Sequence, residues 1–199
     1  MGRLDHPNIP PVHMLGRDES GRVVMVMKQI EGESWAEMIG NPDHQRWASV
    51  HVDREEWNLR VFMQICHAVQ YAHSQDILHR DIKATNVMVG DYGQVYLIDW
   101  GLAVELDAYG SYHARSFAGT PSHAAPEMVQ TPHILSRATD VYQLGALLHE
   151  VLTGAPPHQS ADTLECLQLA QCSEPITYTE AIDSSLAKLI RRAMHRDPE

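Results

Sequence analysis

The run "ATDVYQLGALLHEVLTG", Ala138 to Gly154, is apolar on nearly all sides and ends in a glycine, with Pro156 and Pro157 just beyond. A helix that lacks a polar face has to be covered all round. Glycine followed by proline is a helix stop. The run is therefore expected to form a buried central helix, and such a helix needs a real core around it. With 199 residues the chain is long enough for one domain, or for most of a larger one. Hydrophobic residues make up 44% and charged ones 21%, an ordinary globular composition that argues against disorder.

Other elements are read from period and punctuation. "PVHMLGRDESGRVVMVMKQI" reads as two strands joined by the polar turn Asp18-Glu19-Ser20-Gly21. A short helix is expected from Trp35, ended by Gly40-Asn41-Pro42-Asp43. From Glu56 to Ser74, apolar residues at Val61, Ile65, Ala68, Val69 and Ala72 follow the spacing of an amphipathic helix. "LECLQLAQC" and "SSLAKLIRRAMH" are two further helices, and Asp107 to Ser122 reads as a long loop with neither helix nor strand period. Strands come first and helices dominate afterwards, so the expected class is α+β with the larger part helical.

Val87-Met88-Val89 and Val95-Tyr96-Leu97-Ile98 are β-type runs separated by Gly90-Asp91-Tyr92-Gly93, and should fold back as an antiparallel hairpin. With Val89 pairing near Val95, Asn86 and Asp99 fall at the same open end, about 5 Å apart across it. Two oxygen-bearing side chains at that spacing suit a hard cation such as Mg²⁺. Asp81 and Lys83 lie just upstream and add a carboxylate and a mobile cation, so the group has the makings of a phosphoryl-transfer site. Taken singly, Asp81, Asn86 and Asp99 are each better explained as solvated turn caps.

The rest of the composition narrows the classes. A formal net charge of −11 argues against a general nucleic-acid binder. Cys66, Cys166 and Cys172 form no CxxC pair and suit a reducing, cytoplasmic interior. The longest aliphatic run, Val23 to Met27, is too short for a membrane segment, and no charged-then-apolar leader follows Met1. The thirteen histidines show no metal-ligand spacing.

Taken together, His79-Arg80-Asp81-Ile82-Lys83-Ala84-Thr85-Asn86, then Asp99-Trp100-Gly101, then Ala125-Pro126-Glu127, resemble the signature set of the protein kinases. In detail the chain resembles the bacterial eukaryotic-like Ser/Thr kinases. The resemblance implies a protein-kinase-like fold, mostly the helical large lobe with a remnant of the small-lobe sheet. It implies ATP and Mg²⁺ as cofactors and a protein bearing Ser or Thr as substrate. Asp81 would orient and accept the proton of the substrate hydroxyl, and Asn86 and Asp99 would hold Mg²⁺ against the phosphates. Lys83 would neutralise the γ-phosphate, Thr120 would hydrogen-bond near Asp81 and Lys83, and Asp140 would steady the catalytic loop. Met27 would be the gatekeeper, Lys28, Gln29 and Ile30 the adenine edge, and Met88 the floor beneath the base. Ser116 is the expected activating phosphosite, with Arg80 as a partner for its phosphate.

The chain departs from the family pattern at Ala84, where proline is usual, and at Trp100, where phenylalanine is usual. Neither change removes a chemical group. By resemblance, residues 1–30 correspond to a remnant of the small lobe and hinge, and residues 31–199 to the large lobe without its C-terminal end. The Gly-rich loop, the strand lysine and its glutamate partner have no counterpart here. "HRDPE" stops before the arginine that pairs with the glutamate matching Glu127. The chain by itself is accordingly expected to bind ATP weakly. The alternative reading is a non-catalytic pseudokinase or docking module. A small-molecule phosphotransferase is a third reading, and "GTPSHAAPE" argues against it.

Overall fold

A computed structural model describes residues 4–197. The ends of both expected segments, residues 1–3 and 198–199, lie outside the described residues. Strands β1 (Val12–Arg17) and β2 (Val23–Met27) form an antiparallel ribbon. Asp18 closes its turn by accepting from the N–H groups of Ser20 and Arg22. Neither face of the ribbon is covered, and Met14, Leu15 and Val23 are each at least 60% exposed. Residues 4–9, by contrast, are sewn into the main body. Leu4 and Ile9 are buried, the Asn8 carbonyl accepts from the Leu97 N–H, and the Asn8 amide donates to the Val95 carbonyl.

Strand β3 (Glu33–Ser34) leads into α1 (Trp35–Gly40), whose Trp35 and Met38 are buried. Helix α2 (Arg54–Ser74) starts two residues before the expected Glu56 because Asp53 caps it, accepting from the Glu55 and Glu56 N–H groups. Its apolar stripe is buried from Val61 to Ala72.

Beyond α2 the chain builds the scaffold of the site from very short strands. They are β4 (Ile77–Leu78), β5 (Val87–Val89), β6 (Val95–Leu97) and β7 (Val104–Glu105). The hairpin register is Val89↔Val95 and Val87↔Leu97, as its alternation predicts. β3 adds to the other edge of β5, giving the order β3-β5-β6, and β4 pairs separately with β7. The loop between β4 and β5 and the segment between β6 and β7 are thereby held side by side.

The expected structureless loop from Asp107 to Ser122 is corrected by the structure. Strand β8 (Tyr112–Ala114) lies within it, and a 3₁₀ turn begins at its end, Pro121–His123. β8 exists because β9 (His133–Leu135) pairs with it. Three residues with no alternating pattern carry no local signal of such a distant partner.

After α3 (Pro126–Val129) comes α4 (Arg137–Thr153), the buried helix predicted at Ala138 to Gly154. Gly154 ends it at φ 78°. α5 (Thr163–Cys172) and α6 (Ser184–Ala193) follow, and α6 lies so close to α4 that a Cβ at Gly145 would stand 2.8 Å from the Ala193 Cβ. The architecture is α+β and predominantly helical, with the core gathered around α2, α4 and the β5-β6 hairpin. Among the described residues no helix is long and apolar enough to cross a membrane.

Candidate active site

The loop from His79 to Asn86 connects β4 to β5, and one face of α4 fixes its backbone. Asp140 is wholly buried. One of its carboxyl oxygens accepts from the Arg80 N–H at 2.9 Å, and the other from the His79 N–H at 2.9 Å. His73 Nε2 lies 2.8 Å from that second oxygen. Three residues along the helix, Gln143 accepts from the Ile82 N–H and donates to the Arg80 carbonyl. Further along, Glu150 accepts from the Ala84 N–H at 3.2 Å. These bonds hold Arg80 at φ 73°, a left-handed conformation that costs a non-glycine residue about 1 to 3 kcal/mol.

The loop so held presents Asp81 as a hub. Its Oδ1 accepts from the Thr120 hydroxyl at 2.6 Å, and its Oδ2 accepts from Lys83 Nζ at 2.7 Å and from the Asn86 amide at 3.1 Å. Lys83 Nζ also donates to Thr120 Oγ1. Burial alone would raise the Asp81 carboxyl; the hydrogen bonds from Lys83 and Thr120, the Lys83 charge and the Asn86 amide outweigh it and bring the pKa below the ordinary aspartate value. Thr120 reaches the hub because Gly119 precedes it at φ 144°. A Cβ there would meet Met128 Cε at 2.8 Å and the Arg80 carbonyl at 3.1 Å.

Buried His79 braces the loop from behind. Its Nε2 donates to the Ile98 carbonyl and its Nδ1 accepts from the Asp81 N–H, the pattern of a neutral imidazole. Burial pushes its pKa down, in keeping with that state. Trp100 packs edge-on against this ring, 4.6 Å between centroids, and its indole N–H donates to the Leu97 carbonyl.

Asn86 and Asp99 come to the same end of the hairpin, where the Ile98 N–H donates to the Asn86 carbonyl. Asn86 is buried and spends its amide nitrogen on Asp81. Asp99 is exposed, sits at φ 58°, and accepts from the Gly101 N–H. Met88 lies half-buried on β5. Met27 to Ile30 form a separate, more open stretch. Met27 faces Val12 across the ribbon, and Lys28 donates to the Tyr96 hydroxyl. Lys28, Gln29 and Ile30 line a shallow recess of about 160 Å³ with Tyr96 and Asp91. Ser116 is exposed, and buried Arg80 turns its guanidinium to the Tyr112 ring at 5.3 Å.

Gln143, Glu150 and His73 were not singled out by sequence reasoning, although the first two carried a signal. A polar residue on a helix that is buried all round must find hydrogen-bond partners. Here those partners are the backbone of the loop from His79 to Asn86.

Below the site, His158 is 5% exposed, with its ring bonded to the Tyr142 hydroxyl. Burial, and then the charge of His123, push its pKa down to about 4. An unfolded chain titrates this group near 6.5, so between the two values the unfolded state binds the proton and the folded state does not. Acidification from pH 7 to 5 should therefore remove about 2 kcal/mol of stability through His158. Urea unfolding at both pH values should show the loss in the parent and a drop smaller by that amount in His158→Gln. An equal drop in the variant would refute the assignment.

The match to known proteins covers all of this. The family model for the protein kinase domain matches residues 1–199. Serine/threonine-protein kinase PrkC of Bacillus subtilis (strain 168) is 30% identical over 98% of the chain and 29% of its own length. PknH of Mycobacterium bovis is 29% identical over the whole chain and 32% of its own length, and CBL-interacting protein kinase 25 of rice 28% identical over the whole chain and 38% of its own. The chain thus spans about a third of the length of these curated relatives. With the fold, the bracketed loop and a match along its entire length in agreement, the chain belongs to the protein kinase family.

Proposed function

We propose that these residues form the phosphoryl-transfer centre of a Ser/Thr protein kinase working in the cytoplasm, moving the γ-phosphoryl group of ATP to Ser or Thr hydroxyls of a protein substrate. The observation that carries the reading is the hub at Asp81, where Lys83, Thr120 and Asn86 converge on one carboxylate. Residues 1–30 then serve as part of a smaller lobe and hinge, and the rest as the large lobe. Met27, Lys28, Gln29, Ile30 and Met88 would line the adenine side.

Asp81 Oδ1 keeps a lone pair after accepting from Thr120, and that lone pair would receive the substrate hydroxyl. With a lowered pKa the carboxylate is ionised at neutral pH and a weak base. It would orient the hydroxyl early and take its proton late, as suits a loose transition state. Lys83 has three donors; two are used on Asp81 and Thr120, leaving one for the γ-phosphate.

The residues present fit Mg²⁺. With its nitrogen engaged, Asn86 offers its amide oxygen, and Asp99 offers an exposed carboxylate, an all-oxygen pair suited to a hard ion that also takes phosphate and water. When bound, the ion would neutralise charge on the phosphates. In the full-length natural protein, transfer of radiolabelled γ-phosphate to a Ser/Thr peptide tests the activity. Asp99→Asn should weaken Mg·ATP binding by about 10- to 100-fold in calorimetry. Absence of transfer by the parent, or parent affinity in the variant, would overturn the reading.

A further inference from the structure

The 3₁₀ turn at Pro121–His123 rests on a layer of nearly buried histidines that the reaction above does not use. His123, His149 and His158 are 3%, 7% and 5% exposed. His123 Nε2 lies 3.0 Å from Glu150 Oε2, and that same oxygen accepts from the Ala84 N–H, one residue beyond Lys83. On the other side of the ring, Nδ1 lies 3.0 Å from the Ser122 hydroxyl. An unbroken path of hydrogen bonds therefore runs from the substrate-side loop, through one carboxylate on α4, into the catalytic loop.

We infer that His123 is a positioning residue, and that its protonation state sets how firmly the substrate-side loop is tied to the catalytic loop through Glu150. The inference rests on the kinase reading and adds a form of regulation to it.

The path has two states. In the neutral ring, Nε2–H donates to Glu150 and Nδ1 accepts from the Ser122 hydroxyl. In the protonated ring both nitrogens donate, the Ser122 hydroxyl turns to accept, and the bond to Glu150 becomes charge-assisted and roughly twice as strong. Imidazole is the side chain that makes this change near neutral pH.

The neighbours allow it. From α4, Glu150 faces the ring directly. His149, also on α4, is bonded to the Tyr178 hydroxyl and depressed by burial and then by the His123 charge. Tyr142, a third group on α4, is pushed up to about 12 by burial. From the segment after α4, His158 N–H donates to the Ser122 carbonyl, and its ring is depressed to about 4. α5 also packs on this turn. Of its titratable groups, Glu165 is bonded to Ser160, Cys166 donates to the His158 carbonyl, and Cys172 is exposed at the far end. From the catalytic loop, Lys83 and Asp81 neutralise each other in a direct pair. Burial thus disfavours a charge on His149 and His158, and His123 is the ring of the three that bonds directly to a carboxylate.

The test uses the full-length protein from pH 6 to 8.5 with a generic Ser/Thr peptide. The peptide KM should rise about fivefold from the acid to the alkaline end of that range, with kcat changing less. His123→Gln keeps a neutral donor toward Glu150 and cannot titrate, so its KM should stay flat near the parent's alkaline value. In the unsubstituted protein, NMR titration of the His123 ring should be accompanied by a shift of the Ala84 amide at the same midpoint. A His123→Gln profile that follows the parent's, or a His123 titration that leaves the Ala84 amide unmoved, overturns the inference. Absence of phosphate transfer at every pH would instead sink the kinase reading, while the Ala84 amide would still decide whether the two loops are coupled through His123.

Discussion

Replacing Asp81 with asparagine is expected to lower phosphate transfer by about 10²- to 10⁴-fold while leaving Mg·ATP affinity within a fewfold of the parent. The asparagine oxygen can still accept from Lys83 or Thr120, so the loop should keep its shape. Its other atom becomes a donor, facing either the Thr120 hydroxyl or the Lys83 and Asn86 donors, and no negative charge remains to orient a hydroxyl or take its proton. Asp99 and the carbonyl oxygen of the Asn86 side chain are untouched, so binding of metal and nucleotide should survive. Single-turnover transfer of labelled phosphate and calorimetry with Mg·ATP, both on the full-length protein, separate the two quantities. Transfer at the parent rate would remove Asp81 from the reaction. Loss of affinity in step with rate would make it a binding residue.

The lowered Asp81 pKa adds a pH signature. A carboxyl depressed below its unfolded value contributes stability at neutral pH that is lost as pH falls through the folded-state value. In the proposed reaction the same titration would remove the acceptor for the substrate hydroxyl. An acid limb in the parent's rate that disappears from the residual activity of Asp81→Asn would mark this carboxylate as its source.

Legibility in the sequence followed the range of the interaction involved. The β5-β6 hairpin was readable down to its Val89↔Val95 register, because alternation and turn chemistry are local. α4 was readable from an apolar run and a glycine stop. α2 began earlier than its apolar period suggested, and its true signal was the Asp53 cap. The two-residue strands β4 and β7, and the pairing of β8 with β9, had no such signal, since each exists only through a partner distant in sequence. In the site, the likeness to a family pointed to Asp81, Lys83, Asn86, Asp99 and Thr120. No spacing rule could bring Thr120 to Asp81 from 39 positions away. What sequence reasoning passed over is the support from α4. Gln143 and Glu150 look like ordinary polar interruptions until the backbone N–H groups of Ile82 and Ala84 are seen beside them.

That support is strongest at Asp140, and its removal should have the largest effect on folding. Asp140→Ala leaves the N–H groups of His79 and Arg80 buried with no acceptor, and it takes the carboxylate away from His73. Each orphaned buried donor costs about 1 to 3 kcal/mol. With two such donors the whole change should come to about 2 to 6 kcal/mol, a large share of the roughly 5 to 15 kcal/mol that holds a domain folded. In a chain of this size it should lower the thermal midpoint by roughly 10 °C. Activity should fall further than stability alone explains. The left-handed conformation of Arg80 is unfavourable by itself, and the Asp140 bonds to its own N–H and to that of His79 help to hold it there. Once released, the loop can relax and carry Asp81 out of line with Lys83 and Thr120. Asp140→Asn keeps an acceptor oxygen for one of the two N–H groups and should fall between parent and alanine variant in both measurements. A midpoint for Asp140→Ala within about 2 °C of the parent, with transfer intact at low temperature, would show that the loop holds its shape without the helix beneath it.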